Sequence, residues 1–252
     1  MRYMVRCQFL GSLFHGTQIQ PKDVTVQGEF EKALSYIYDR PVKTIISSRL
    51  DAGVHALDFA VAFDAEEDDI GQERVEYYLK RRFFDRINIL AVREVPSTFS
   101  PRFDSESKTY LYLIQKREDR NPLFDPFSFT PVKTPSLKKL KEIGDMFVGR
   151  HDFRYFSTKD EEDENTILTI DSFSIGEEHG FIAIRFTGKS FLKYQVRFLI
   201  GSMLMHDEGK LTVGDIENAL DRKKEIYKYK APAHGLILEK VHFPGYIEAL
   251  YK

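Results

Sequence analysis

The chain has 252 residues, of which 42% are apolar and 30% charged, and its formal net charge is −2. That length buries a substantial core, as one large α/β domain or two modest ones, and the composition is that of a water-soluble globular protein. It excludes a bulk polycation that would bind nucleic acid by total charge, a disulfide or a thiolate metal cluster, because Cys7 is the single cysteine, and a membrane helix, because no apolar run approaches the roughly 18 residues one needs.

The N-terminal stretch from Met1 to Arg6 starts an alternating pattern at once and lacks the long apolar segment of a signal peptide, so a cytoplasmic location is expected. Arg2 to Leu10 reads as a strand with Tyr3, Val5, Cys7 and Phe9 on one side, Cys7 serving as a small buried apolar residue. Val26, Phe30, Leu34 and Ile37 fall on one face of a helix over Val26 to Tyr38, which Pro41 stops. Val42 to Ser47 and Leu57 to Phe63 are strands, Gln72 to Phe84 a helix, and Ile87 to Glu94 a further strand. The first half therefore reads β-α-β-β-α-β.

The second half is similar. Thr109 to Gln115 is a strand with Tyr110, Tyr112 and Ile114 on one face. Asn121 to Pro135 holds four of the ten prolines and reads as an irregular crossover. Ser136 is expected to cap a helix over Leu137 to Val148. Thr166 to Ile175 and Phe181 to Phe186 form a hairpin, Phe191 to His206 a helix, Thr212 with Asp215 a capping-box start for Val213 to Leu220, and His234 to Phe243 a closing strand. The boundaries expected are 1–104 and 105–252. Two such halves would join their sheets edge to edge and leave a central cleft, where pockets are favoured.

Charge is clumped rather than spread. Lys80-Arg81-Arg82, Lys138-Lys139-Leu140-Lys141, and Arg222-Lys223-Lys224 with Lys228 and Lys230 are basic, whereas Glu66-Glu67-Asp68-Asp69 and Asp160 to Glu164 are acidic. Each cluster alone reads as a solvated face. Gathered on one side, the basic ones would make a local field for phosphate.

The most informative stretch is Ser47-Ser48-Arg49-Leu50-Asp51-Ala52-Gly53-Val54-His55-Ala56, a polar loop between two strands. Ala52 and Gly53 leave room beside Asp51, and a nearby arginine would keep that carboxylate ionised and fit to act as a nucleophile. By residue type alone, a turn in which Asp51 bonds its own backbone is the favoured explanation of the loop.

Six segments in order resemble the tRNA pseudouridine synthase A family. Arg49 to Ala56 resembles its R-T-D-A-G-V-H-A signature; Gly11-Ser12-Leu13-Phe14-His15-Gly16-Thr17-Gln18 resembles its first-strand loop; Val26 to Leu34 resembles V-Q-x-x-L-E-x-A-L. Phe99 to Phe103 with Lys108 to Tyr112 is similar to F-H-A-R-F…R-x-Y-x-Y, Phe191 to Arg197 to F-L-x-x-Q-V-R, and Ala231 to Leu238 to A-P-x-x-G-L-x-L. The resemblance implies an α+β pseudouridine synthase fold of two ferredoxin-like halves sharing one extended, mostly antiparallel sheet. It implies a cofactor-free and metal-free isomerase acting on uridines 38 to 40 of the tRNA anticodon stem, and a homodimer that lays tRNA across both subunits. Asp51 takes the place of the carboxylate that breaks the N-glycosidic bond, as nucleophile or base. Tyr110 matches the tyrosine packed on uracil, Arg197 the arginine that pairs with the catalytic Asp, and Arg49 the arginine that supports base flipping. Leu236 and Leu238 match apolar pocket wall. As bare residues, Tyr110 reads as core, Arg197 as a helix-surface charge, and the two leucines as ordinary core.

The chain departs from the family pattern at Leu50 (Thr in the family), Ser48 (Gly), Thr17 (Trp) and Leu10 (Asp). These changes leave two other readings open, the same chemistry on another tRNA site or ribosomal RNA, and a non-catalytic RNA-binding module. Gly188-Lys189-Ser190 is not a phosphate loop, because Ala183 stands where that motif needs glycine. His55 reads as a structural hydrogen-bonder, since no G-x-S-x-G elbow accompanies it.

Overall fold

A computed structural model describes residues 1–66, 69–158 and 165–252. Of the acidic runs, Glu67, Asp68 and Asp160 to Glu164 lie outside the described residues. The chain forms two compact units, Met1–Ser107 with Leu238–Lys252, and Lys108–Ile237.

In the first unit, β1 (Arg2–Phe9) pairs antiparallel with both β3 (His55–Asp64) and β4 (Ile87–Val95), and β2 (Thr44–Ile46) pairs antiparallel with β3. Helices α1 (Val26–Tyr38) and α2 (Gln72–Phe83) carry apolar stripes. Phe30 of α1 meets Phe83 of α2 at 4.9 Å between ring centroids, and both rings are fully buried. Thr25 accepts from the Gly28 N–H to cap α1, and the helix ends at Asp39 in the left-handed region, two residues before Pro41. This is the expected β-α-β-β-α-β order.

The alternation in β1 is only part of its pattern, because nearly every residue of the strand is buried. Arg6 makes a buried ion pair with Asp58 and a second bond to Glu248, and its guanidinium lies 5.3 Å from the Tyr251 ring. Pairing of this kind is what allows a charged side chain to be buried. Cys7 is a buried free thiol, and burial keeps it protonated.

These contacts also explain where the C-terminal segment goes. The reading of 105–252 as one half assigned that segment to the second half. In the structure, Leu238–Lys252 belongs to the first unit. Val241 donates to Asp58, Tyr251 donates to the Met4 carbonyl, and Arg93 donates to the Leu250 carbonyl.

In the second unit, β5 (Ser107–Gln115) pairs antiparallel with β8 (Phe181–Gly188), β8 with β7 (Ile167–Glu178), and β7 with β6 (Gly149–Asp152). Helices α3 (Leu137–Met146), α4 (Gln195–Asp207) and α5 (Val213–Leu220) complete it, before β9 (Leu236–His242) leads the chain back to the first unit. All of α4 from Gln195 to Met205 is buried, so this helix is covered on every side, with Gln195, Arg197 and Ser202 as its buried polar residues. The expected capping box of α5 is present in both directions between Thr212 and Asp215.

Three expectations change here. Ser136 does not cap α3 with its side chain; its N–H donates to Asp207 instead. Strand β6 interrupts the expected order, and its polar Gly-Arg-His-Asp sequence has no alternation to reveal it. Helix α4 begins at Gln195 and not at Phe191, because Tyr194 takes a left-handed conformation, φ 63° and ψ 3°. For a tyrosine that conformation costs about 1–2 kcal/mol, and the surrounding contacts must hold it.

Candidate active site

Within the first unit, Arg49 and Asp51 sit on the loop between β2 and β3, Arg49 exposed and Asp51 half-buried. The loop is held from behind by the 11–17 segment. The Thr17 hydroxyl, itself buried, donates to the Ser48 carbonyl at 3.0 Å and accepts from the Leu50 N–H at 2.8 Å. The Thr17 N–H also donates to the Leu50 carbonyl at 3.1 Å. Next along the loop, Val54 N–H returns to the Asp51 carbonyl at 3.1 Å, closing a turn whose third residue, Gly53, has φ 82°. That positive φ is why glycine is needed there. The turn is therefore real, and a backbone hydrogen bond closes it.

A second clamp is the close approach of Gly11. A Cβ on this residue would stand 2.0 Å from the Val54 carbonyl oxygen. The Gly11 N–H donates to Nδ1 of buried His55 at 3.0 Å, so that nitrogen carries no proton. His55 thus joins the first-strand loop to the Asp51 loop, in keeping with a structural reading. Leu50 is only 6% exposed. The departure from threonine therefore packs the underside of the loop and does not alter its exposed surface. Leu238, at 0% exposure, is core of this unit.

Within the second unit, Tyr110 on β5 pairs with Phe186 of β8 and is 7% exposed. Phe191 meets its ring edge-on at 5.1 Å. Two predicted motifs, the β5 tyrosine and the Phe191 to Arg197 segment, are thus brought together. Arg197 lies on the first turn of α4 and is 9% exposed, not a surface charge. Its Nε donates to the Ala231 carbonyl at 2.8 Å, and the Ala231 N–H donates back to the Arg197 carbonyl at 3.0 Å. The guanidinium lies 5.6 Å from the Tyr194 ring centroid. Behind it, a Cβ on Gly201 would come within 1.7 Å of the Tyr229 carbonyl oxygen, so the 229–231 segment lies flat against α4.

Leu236 is 5% exposed at the start of β9. It follows Gly235, where a Cβ would meet the Tyr112 ring at 2.6 Å. Tyr112 donates to the Pro232 carbonyl, tying the A-P-x-x-G segment to β5. Burial, with the charge of Arg197, lowers the His234 pKa below its usual value, while Asp125 opposes this.

Each unit therefore presents part of the predicted set. Arg49, Asp51 and Leu238 fall in the first, and Tyr110, Arg197 and Leu236 in the second. Thr17, Gly11, Phe191 and Tyr194 were not singled out from the sequence as site residues. Their signal lay in the same matched segments, as the residues between the quoted positions. Among the described residues, no group of three His, Cys, Asp or Glu side chains could hold a metal ion. No helix in them is long and apolar enough to cross a membrane. An open cavity of about 580 Å³ in the first unit, lined by Arg2, Glu94, Pro96, Tyr246 and others, contains none of these residues.

Residues 144–244 match a family described as tRNA pseudouridine synthase. The tRNA pseudouridine synthase A of Aquifex aeolicus is 37% identical over 95% of this chain and 98% of its own. That of Hydrogenobaculum is 34% identical over 96% and 99%, and the tRNA pseudouridine synthase A 2 of Bacillus anthracis likewise 34% over 96% and 99%. Among solved structures, a Cbf5-Nop10-Gar1 complex matches at a TM-score of 0.37 and 11% identity over 80% of this chain and 44% of that one. On relatives of that identity, matched over nearly the whole of both sequences, the chain belongs to the tRNA pseudouridine synthase A family.

Proposed function

We propose that this chain is an isomerase converting uridine to pseudouridine at positions 38 to 40 of the tRNA anticodon stem, with Asp51 as the essential carboxylate. The observation that carries the reading is the full-length relationship to proteins named tRNA pseudouridine synthase A, in a chain whose Arg49 to Ala56 loop retains the aspartate of the family signature. Its backbone anchoring by Thr17 and Gly11 supports the assignment, since a reacting group must be held within a few tenths of an ångström.

In this reading the Asp51 carboxylate, as nucleophile or base, promotes cleavage of the bond between N1 of uracil and C1′ of ribose. The freed base turns and rejoins through carbon 5. The carbon-5 hydrogen leaves as a proton and N1 acquires one, so the reaction is balanced without oxidant, reductant or nucleotide. Tyr110, braced by Phe191, packs on the uracil. Arg197 keeps the carboxylate ionised, and Arg49 supports the flipped-out nucleotide. Leu236 and Leu238 contribute apolar wall. The protein acts in the cytoplasm as a homodimer, which sedimentation of the purified chain tests.

Release of tritium from tRNA labelled at uridine carbon 5 is the decisive measurement. Wild-type protein should release it, and Asp51→Ala should bind the same tRNA and release none. Release by that variant would remove Asp51 from the reaction. Mapping pseudouridine in RNA from cells lacking the protein tests the position, and unchanged modification at 38 to 40 would overturn it. The rival of another RNA target rested on Leu50, whose burial places that departure under the loop.

A further inference from the structure

A tight turn from Leu192 to Gln195 leads into α4. The Gln195 N–H donates to the Leu192 carbonyl at 3.1 Å. Tyr194, third in the turn, has the left-handed φ of 63° that glycine or asparagine ordinarily supplies at such a position. The Gln195 side chain then reaches back across the turn. Its Oε1 accepts from the Leu192 N–H at 2.7 Å, so one residue holds both polar backbone groups of Leu192. Gln195 is 0% exposed, and its Nε2 is buried without a hydrogen-bond partner among the described residues. Burying an unpaired donor is unfavourable. A methionine would fill similar space without that penalty but would leave the Leu192 N–H bare. The contribution of this side chain is therefore its oxygen.

The N–H that Gln195 holds belongs to the planar peptide joining Phe191 to Leu192. Fixing that plane fixes the direction from which Phe191 enters the core of the second unit. The Phe191 ring meets Tyr110 edge-on at 5.1 Å, and on another side it lies so near β8 that a Cβ on Gly188 would stand 3.3 Å from its Cζ. We infer that Gln195 is a positioning residue for the uridine isomerisation. It holds the peptide that carries Phe191, and Phe191 holds Tyr110 at the angle at which that ring packs on uracil. The inference rests on the reading of Tyr110 as the residue against the base and adds to it the group that keeps Tyr110 in place. Gln195 acts through Phe191, so its removal falls on turnover and not on binding of the tRNA.

The test is tritium release by the full chain from tRNA labelled at uridine carbon 5. Gln195→Met removes the acceptor and should lower kcat about tenfold with KM within about twofold of wild type, well inside the loss that about an ångström of misplacement causes. Gln195→Leu repeats the test if the methionine variant does not fold. Gln195→Glu retains an oxygen for the Leu192 N–H and should restore most of kcat. Phe191→Leu removes the brace itself and should be slowed to the same degree. Combined with Gln195→Met it should be no slower than either alone, because both act through one contact. A loss of about a hundredfold in the double variant, the product of two independent effects, overturns the inference. So does wild-type kcat in Gln195→Met beside a slow Phe191→Leu.

A measurement without substrate separates this inference from the reading beneath it. In protein labelled with 3-fluorotyrosine, the fluorine signal of Tyr110 is identified by its loss in Tyr110→Phe. It should move in Gln195→Met toward its position in Phe191→Leu, and stay in place in Gln195→Glu. A signal that Gln195→Met leaves unmoved overturns the positioning role even if turnover falls. A signal that moves while every variant keeps wild-type kcat would instead overturn the reading of Tyr110 against the base, so the two failures are distinguishable.

Discussion

The Asp51 loop and the start of α4 are held in place by different means. The loop is fixed through backbone groups. Thr17 bonds the Ser48 carbonyl and the Leu50 N–H, and Gly11 lies against Val54 too closely for any side chain. The backbone that carries Asp51 is thus set by main-chain geometry, and the neighbouring Arg49 is exposed. The start of α4 is fixed through side chains. Arg197 is held by its own Nε on the Ala231 carbonyl and by the Tyr194 ring, and the backbone at Tyr194 accepts strain to place that ring. A backbone clamp tolerates changes in the side chains around it but not in the residues of the clamp. A side-chain clamp depends on the packing of the segment that carries the acceptor.

The largest effect should come from breaking the second clamp at its base. Gly201→Ala puts a methyl group where the Tyr229 carbonyl oxygen stands 1.7 Å away. Neither side of that contact is a flexible side chain, so α4 and the 229–231 segment must separate, and Arg197 loses its acceptor on Ala231. A loss of about 3 kcal/mol is expected, at the upper end for overpacking, read as a lower urea midpoint, with reduced turnover in the protein that remains folded. Gly176→Ala on β7, with open space around it, is the control and should change little. Equal midpoints for the two variants would show that the 229–231 segment gives way freely.

The first clamp should break more gently. Thr17→Val keeps the shape of the side chain and removes the hydroxyl, leaving the Ser48 carbonyl and the Leu50 N–H without it. Unsatisfied buried groups cost about 1–3 kcal/mol. The separate Thr17 N–H bond to the Leu50 carbonyl is retained and still ties the two segments. Turnover should fall with stability and recover in Thr17→Ser. Full turnover in Thr17→Val would mean that the hydroxyl is not what aims Asp51.

The contrast also accounts for what could be read from the sequence. Helices α1 and α2 and the strands of the first unit were legible because their apolar periodicity coincides with burial, as at Phe30 and Phe83. Strand β6 was not, because four polar residues carry no period. The true start of α4 was not, because a helical pattern of apolar residues runs on through Phe191 and Leu192, and nothing in the identity of Tyr194 announces a left-handed backbone. Nor was the return of Leu238–Lys252 to the first unit, which depends on the ion pairs and hydrogen bonds of Arg6, Asp58 and Glu248 between segments far apart in sequence. At the candidate site, the loop carrying Asp51 was legible as a polar connection between two strands. Thr17 was visible only as a departure from the family's tryptophan, and its two hydrogen bonds required coordinates.

The smallest effect expected is a pH dependence of folding at the second clamp. His234 lies in the short 3-10 turn Ala233–Gly235, just before β9. Its pKa is lowered from about 6.5, first by burial, which disfavours the cation, and also by the nearby Arg197 charge, with Asp125 opposing. The folded protein then binds fewer protons here than the unfolded chain. Stability from this group is therefore complete above pH 6.5 and declines as pH falls through the unfolded value toward the lower folded one. Urea midpoints measured from pH 7.5 to 5.5 should decline less steeply in His234→Gln than in wild type, and the two curves should run parallel above pH 7. Because Arg197 is one cause of the shift, Arg197→Gln should also make the decline shallower, although burial keeps part of it. A slope that Arg197→Gln leaves untouched would place the whole effect on burial and detach the imidazole from the charge that the α4 clamp holds.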